Sequence, residues 1–223
     1  MGEAIGSTLG LAAGIALSPI PVAAVILMLF SARARSNSLA FMVGWVVGIA
    51  LVASLVTLIP GFESDDGEPS TTAGWVKLTL GALLLAAGVA RWRSRPRSEE
   101  EAQVPHWMER IDELRPGAAL GLGFVLSAVN PKNLLLAAAA GTTIAAATLG
   151  GGETAVVIAV FTLLAASTVL VPVFGYLIAG SRLDPTLLRV KDWLLANNAA
   201  VMAVLFLVLG VDLVGEGLGI LTS

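Results

Sequence analysis

The chain of 223 residues contains no cysteine. That excludes a disulfide framework, a thiol redox relay and any thiolate metal site. It has a single histidine, His106, so no histidine cluster can form. Charge is scarce as well: charged residues make up 13% of the chain, about half the share in soluble domains. No Walker phosphate loop is present, so this chain is not expected to hydrolyse ATP. No dense set of acids or histidines falls inside an apolar run, which removes the usual divalent-metal site. No nucleophile–base pair stands out. The protein is expected not to be an enzyme, and to need no cofactor and no nucleic-acid partner.

A basic N-terminal region is also lacking. The opening text MGEAIGSTLG carries Glu3 and no Lys or Arg. A cleavable signal peptide wants a basic start, so the first apolar segment is expected to stay in the protein. Myristoylation would want Ser or Thr at the sixth position, and Gly6 stands there.

What is present is hydrocarbon. Hydrophobic residues reach 57%, with a mean hydropathy of +0.88. Apolar segments cover residues 4–30, 38–60, 74–92, 117–141, 154–180 and 197–220. Runs of about 20 apolar residues span a bilayer as helices. A soluble chain of this size could not bury six of them. The predicted class is therefore an all-α polytopic membrane protein with six transmembrane helices.

The loops set an orientation. The first, SARARSN, carries Arg33 and Arg35. The third, 91–116, carries Arg91, Arg93, Arg95, Arg97, Arg110 and Arg115. The fifth carries Arg182, Arg189 and Lys191. These are 11 of the 13 basic residues. The second loop carries only acids and the fourth only Glu153. The positive-inside rule puts the basic loops in the cytoplasm and both termini outside. Within the third loop, RWRSRPRSEEEAQ reads as a mobile linker. PHWMERIDELRPG follows, with Trp107, Met108, Ile111 and Leu114 at helical spacing, and reads as a short amphipathic helix on the inner leaflet.

The two halves resemble each other. LGLAAGIALSPIP, from Leu9, matches LGLGFVLSAVNPK, from Leu120, and each reaches a polar residue followed by Pro: Ser18-Pro19 and Asn130-Pro131. Ser54 and Ser167 precede Pro60 and Pro172 in the second segment of each half. A unit of three helices is odd, so the second copy enters the membrane inverted. Inverted repeats with Pro-interrupted segments point to a transporter site near the midplane. The expected division is 1–92 for the first repeat, 93–116 for the linker and 117–223 for the second.

Two lysines lie outside the basic loops. Lys77 follows Trp75 near a helix end, and snorkelling explains it. Lys132 lies about 16 residues beyond Pro116, roughly 24 Å along a straight helix. No charge follows it until Glu153. Snorkelling outward and facing an internal cavity are both open to it. The cavity is favoured, because intramembrane ions usually face bundle interiors. There Lys132 would attract an anionic group, helped by freed amides at the break. Asn130 and Asn133 can cap the interrupted helix. Pro19, Pro21 and Pro131 supply the breaks. Ser54, Ser167 and Thr168 are candidate cavity lining, although such hydroxyls more often bond a neighbouring helix. Asp212 could pair with Lys132 or Lys77, or sit at the outer interface. Gly2, Gly6, Gly10 and Gly14 recur every fourth residue, as do Gly44 and Gly48. These ridges allow packing within one chain or a homodimer.

Six spans, ALSPIPVAA in the first and SAVNPKN in the fourth resemble the LysE superfamily of membrane exporters. The text LGALLLAAGVARWRSRP is most similar to the actinobacterial GAP family of glycolipid-addressing proteins. The resemblance implies export across the cytoplasmic membrane, of amino acids or ions in some branches and of envelope glycolipids in the GAP branch. It carries family motif positions onto Ser18, Pro19, Pro21, Asn130, Pro131 and Lys132. The expected partners are the lipid bilayer and a lipid or small-molecule substrate. A non-transporting scaffold for envelope-lipid assembly is the alternative.

Overall fold

The computed structural model describes residues 1–59, 70–94 and 106–222. Helix is the regular structure these residues form, with no strand among them. The expected acidic second loop and the charged part of the linker lie outside the described residues.

The first apolar segment is two helices, α1 (Gly2–Ala16) and α2 (Pro19–Leu29), bent by 57°. Pro19 causes the break: it has no amide to donate, and its ring would strike the carbonyl one turn back. Ser18, before the proline, is pushed to an extended conformation at φ −114° and ψ 91°. The fourth segment repeats the device. Helix α5 (Pro116–Phe124) widens into a π turn (Val125–Val129), and α6 (Pro131–Ala145) follows at 62°. In the π turn the amide of Asn130 reaches the carbonyl of Val125, five residues back, at 3.1 Å.

The remaining spans are α3 (Ala34–Thr57), α4 (Thr71–Arg93), α7 (Gly151–Ala179) and α9 (Asn198–Thr222). The Ser70 hydroxyl caps α4 by accepting from the Ala73 amide at 3.2 Å. Helix α7 runs through Pro172 and stops at Gly180, whose φ of +58° suits a residue without a Cβ. By length and hydropathy four helical stretches can cross a membrane alone, and the two bent pairs raise the number to six. The expected all-α class is what the described residues adopt, with four to six candidate spans.

Packing interlocks the halves. Helix α1 lies on α6 and α7, α3 lies on α5 and α6, and α4 lies along α9. Small residues allow these approaches. A Cβ at Gly44 would strike the Leu120 carbonyl, and one at Gly123 the Phe41 carbonyl. Gly81 and Gly210 play the same part between α4 and α9. The Gly44–Gly48 ridge is thus used within one chain. Gly2 and Gly6 face nothing within 4 Å.

The two connecting segments carry helices of their own. The segment after the linker is a 3₁₀ helix (His106–Glu113), and two of its apolar residues turn toward the protein. Met108 and Ile111 are 3% and 2% exposed and pack in the main core beside α2. The Asn37 amide group ties the end of this segment to α3 by donating to the Leu114 carbonyl at 2.9 Å. Burial takes these two side chains out of the apolar face expected to meet the inner leaflet. The fifth loop, in turn, contains a helix, α8 (Asp184–Ala196), which packs on α2. Pro185 in its first turn was the signal for it.

Candidate functional site

The two breaks meet. A helix that ends inside a membrane leaves its last four carbonyls without amide partners, and no water is available to them. For α1 these are the carbonyls of Gly14, Ile15, Ala16 and Leu17, although Ala16 takes the Ser18 amide at 2.8 Å beyond the helix end. Lys132 Nζ donates to Gly14 at 2.8 Å and to Leu17 at 3.1 Å. The Ser18 hydroxyl donates to Ile15 at 2.6 Å. The Thr168 hydroxyl donates to Ala16 at 2.6 Å. Every orphan carbonyl of α1 is therefore met, and three of the four by side chains from the second half of the chain. The third donor of the Lys132 ammonium goes to Ser18 Oγ at 2.7 Å. All three of its donors are occupied.

The second break is stitched by its asparagines. The Asn130 side chain accepts from the Lys132 amide at 3.1 Å, which caps α6. Asn133 is fully buried, and its Nδ2 donates to the Leu126 carbonyl at 2.9 Å, next to the π turn. Its Oδ1 lies 3.4 Å from the Ser18 hydroxyl, which links the breaks a second time. Lys132 is 9% exposed. It faces the protein interior, not the outer surface.

Of the hollows that border this knot, two are lined by Ser18. A small chamber of about 70 Å³ is lined by Ser18, Pro19, Asn130, Lys132, Arg91 and Asn198. An apolar groove of about 500 Å³ runs between α2, α7 and α8, lined by Ser18, Val22, Val171, Pro172 and Leu187 among others. Ser18 belongs to both. Pro21 lines the chamber, and Ser167 and Thr168 line the groove. By sequence Arg91 reads only as a basic loop residue. Its place in the last turn of α4, next to the start of α9, is not visible in the sequence.

Two sequence candidates lie elsewhere. Ser54 is half-buried on α3 and lines neither hollow. Asp212 is exposed on α9 and pairs with neither lysine. Lys77 does not snorkel. It is buried between α4 and α9 and bonds Glu216 at 2.7 Å. Glu216, four residues after Asp212 on α9, reaches Lys77 on α4, whereas Asp212 stays exposed. That pair walls a polar cavity of about 640 Å³ at the other end of α6, together with Glu3, Ser7 and Thr143. Between the chamber and this cavity α6 is closed: Leu136, Ala139 and Ala140 have no exposed surface. Among the described residues no group of acids and histidines could hold a metal ion.

No curated protein and no solved structure matches the chain. A family model described as Sap, sulfolipid-1-addressing protein, matches residues 8–219. That match takes in both breaks, the chamber and the α4–α9 seam, and the chain belongs to the sulfolipid-1-addressing protein family.

Proposed function

We propose that this protein is a secondary exporter of an anionic lipid or similar amphiphile, working at the knot between the two broken helices. The observation that carries the reading is Lys132. A buried ammonium within a span pair lines a chamber that a second cation, Arg91, also lines. An intramembrane charge of this kind marks a substrate path. The family description names a lipid as what such proteins address.

In this reading the halves are inverted repeats, and the LysE-like resemblance extends to mechanism. The reciprocal packing supports it: α1 lies on α7 as α5 lies on α3, and third helix lies on third helix. The basic loops face the cytoplasm, both termini face outward, and the membrane is the cytoplasmic one. An arriving anion competes with the α1 carbonyls for Lys132. Drawing Lys132 off them loosens α1 from α6, which opens the closed stretch toward the cavity beside Lys77. No chemical step is involved.

The test is complementation of a deletion strain with Lys132→Met at matched protein level, followed by lipid analysis of the outer envelope. The expected result is an envelope that lacks the lipid the wild type restores. Full restoration by the variant would sink the reading and leave the scaffold role.

A further inference from the structure

We infer that the polar cavity at the far end of α6 is the exit site for the ligand's oxyanion head, with Lys77 as its cation and Glu216 as a built-in counter-ion that the head displaces. That the ligand leaves through this cavity rests on the exporter reading. That Lys77 binds an oxyanion there does not.

The 15 residues of α6 separate the chamber from the cavity, by about 22 Å at helical rise. Each end has a buried lysine, and the two are in opposite condition. Lys132 has given all three donors to α1 and Ser18. Lys77 is 6% exposed, and among the described residues its ammonium makes one hydrogen bond, to Glu216. An ammonium has three donors. Lys77 therefore keeps donors to give, in the wall of a cavity of about 640 Å³. The buried and half-exposed hydroxyls there are engaged or at the rim. Ser7 donates to the Glu3 carbonyl at 3.0 Å and Thr143 to the Ala139 carbonyl at 2.9 Å, each within its own helix. Thr148 is exposed. Lys77 is thus the wall's buried cation, and an oxyanion is the partner that gains most from it.

Glu216 holds the place that such a head would take. About a third of its side chain is exposed, so it can turn into the cavity while Lys77 stays. The helices themselves cannot part easily. A Cβ at Gly217 would stand 2.8 Å from the Leu78 amide nitrogen and 2.9 Å from the Gly74 carbonyl, so the backbones of α4 and α9 already touch beside the pair. Exchange is the movement of one side chain. The exposed carboxylate of Glu3 adds a second negative charge to the wall. Two carboxylates against one ammonium hold an anion weakly, which suits release. The cavity lies within the roughly 300–1,000 Å³ of pockets that enclose a whole small ligand, and admits an oxyanion with the polar unit that bears it.

The experiment follows thermal unfolding in a neutral detergent with glucose 6-sulfate, inorganic sulfate or glucose, against chloride at equal ionic strength. Glu216→Gln frees Lys77 of its competitor. Its apparent affinity for glucose 6-sulfate should rise about tenfold over wild type, the effect of removing one charge-assisted contact. The added ligand should restore the midpoint that this variant loses. Lys77→Met/Glu216→Gln removes both charges, a change that buried pairs often tolerate. It keeps Met1 and Glu3 in the wall and should show no shift beyond that of chloride. An equal shift with inorganic sulfate supports the site and assigns it to the oxyanion alone. A shift with glucose 6-sulfate only supports it together with the unit that bears the anion. No shift in Glu216→Gln, an equal shift with glucose, or an equal shift in the double variant would remove the site. If the site fails in these ways while Lys132→Met still blocks export, only the exit site is wrong. If Glu216→Gln binds as expected while Lys132→Met exports normally, the exporter reading is wrong and the oxyanion site stands.

Discussion

The ammonium of Lys132 sits 2.8 Å from the carbonyl oxygen of Gly14, 118 residues earlier in the chain. One side chain thereby ends a helix of the other half. Neither break is stable alone in a membrane, because the freed carbonyls of α1 and the charge of Lys132 each lack a partner without the other. The two anomalies are one structure.

Lys132→Met is the direct probe of that relation. It leaves the Gly14 and Leu17 carbonyls with no donor, at about 1–3 kcal/mol for each buried group left unmade. Removing a buried charge offsets part of this, since the ammonium was itself desolvated. The expected net is a loss of about 1–3 kcal/mol, read as a lowered unfolding midpoint in detergent. An unchanged midpoint would mean that the α1 end finds other partners.

Thr168→Val should do much less. It removes the hydroxyl that donates to Ala16, but that carbonyl also accepts from the Ser18 amide at 2.8 Å. Hydrogen bonds between membrane helices average about 0.6 kcal/mol. A drop in midpoint as large as that of Lys132→Met would contradict the shared capping described here.

The contrast shows what was legible in the text. Pro19 and Pro131 announce their breaks, because proline acts on its own local backbone. That the breaks touch, and that Lys132 turns to α1 and not to an anion or to the outer surface, depends on how two distant helices cross. No local pattern encodes that. Arg91 was hidden for the same reason, and the Lys77–Glu216 pair depends on which face of α9 meets α4. The segment at Met108 and Ile111 showed its amphipathic spacing plainly. Spacing alone cannot say whether the apolar face meets lipid or protein.

The α4–α9 seam offers a comparison of two acids one turn apart. Glu216→Gln leaves Lys77 buried without its counter-charge. Fully buried pairs broken in this way lose about 3–5 kcal/mol. Glu216 keeps about a third of its side chain exposed, so about 1–3 kcal/mol is expected after discounting for screening. Asp212→Asn, on the exposed face, should leave the unfolding midpoint unchanged. The reverse order of effects would reassign the pairing.

Glycines separate in the same way. Gly123→Ala drives a methyl group into the Phe41 carbonyl, which is backbone and cannot turn aside. The helices must part, at about 1–3 kcal/mol for overpacking. Gly6→Ala meets nothing within 4 Å, and alanine favours helix over glycine by about 1 kcal/mol. The first should lower the unfolding midpoint and the second should raise it. A loss from Gly6→Ala in the native membrane, absent in detergent monomers, would show that the free ridge packs on a second copy.

Orientation can be read directly because the chain has no cysteine of its own. Ser36→Cys and Gly152→Cys each place a single thiol at an exposed position, the first beside Arg33 and Arg35 and the second beside Glu153. If the basic loops face the cytoplasm, an impermeant maleimide added to intact cells labels the cysteine at 152 and spares the one at 36. Lysis should then expose position 36 to the same reagent, which separates protection by the membrane from burial in the protein. Labelling at 36 in intact cells would invert the protein. The Arg91–Lys132 chamber would then lie nearer the outer surface, and the same architecture would have to move its ligand inward.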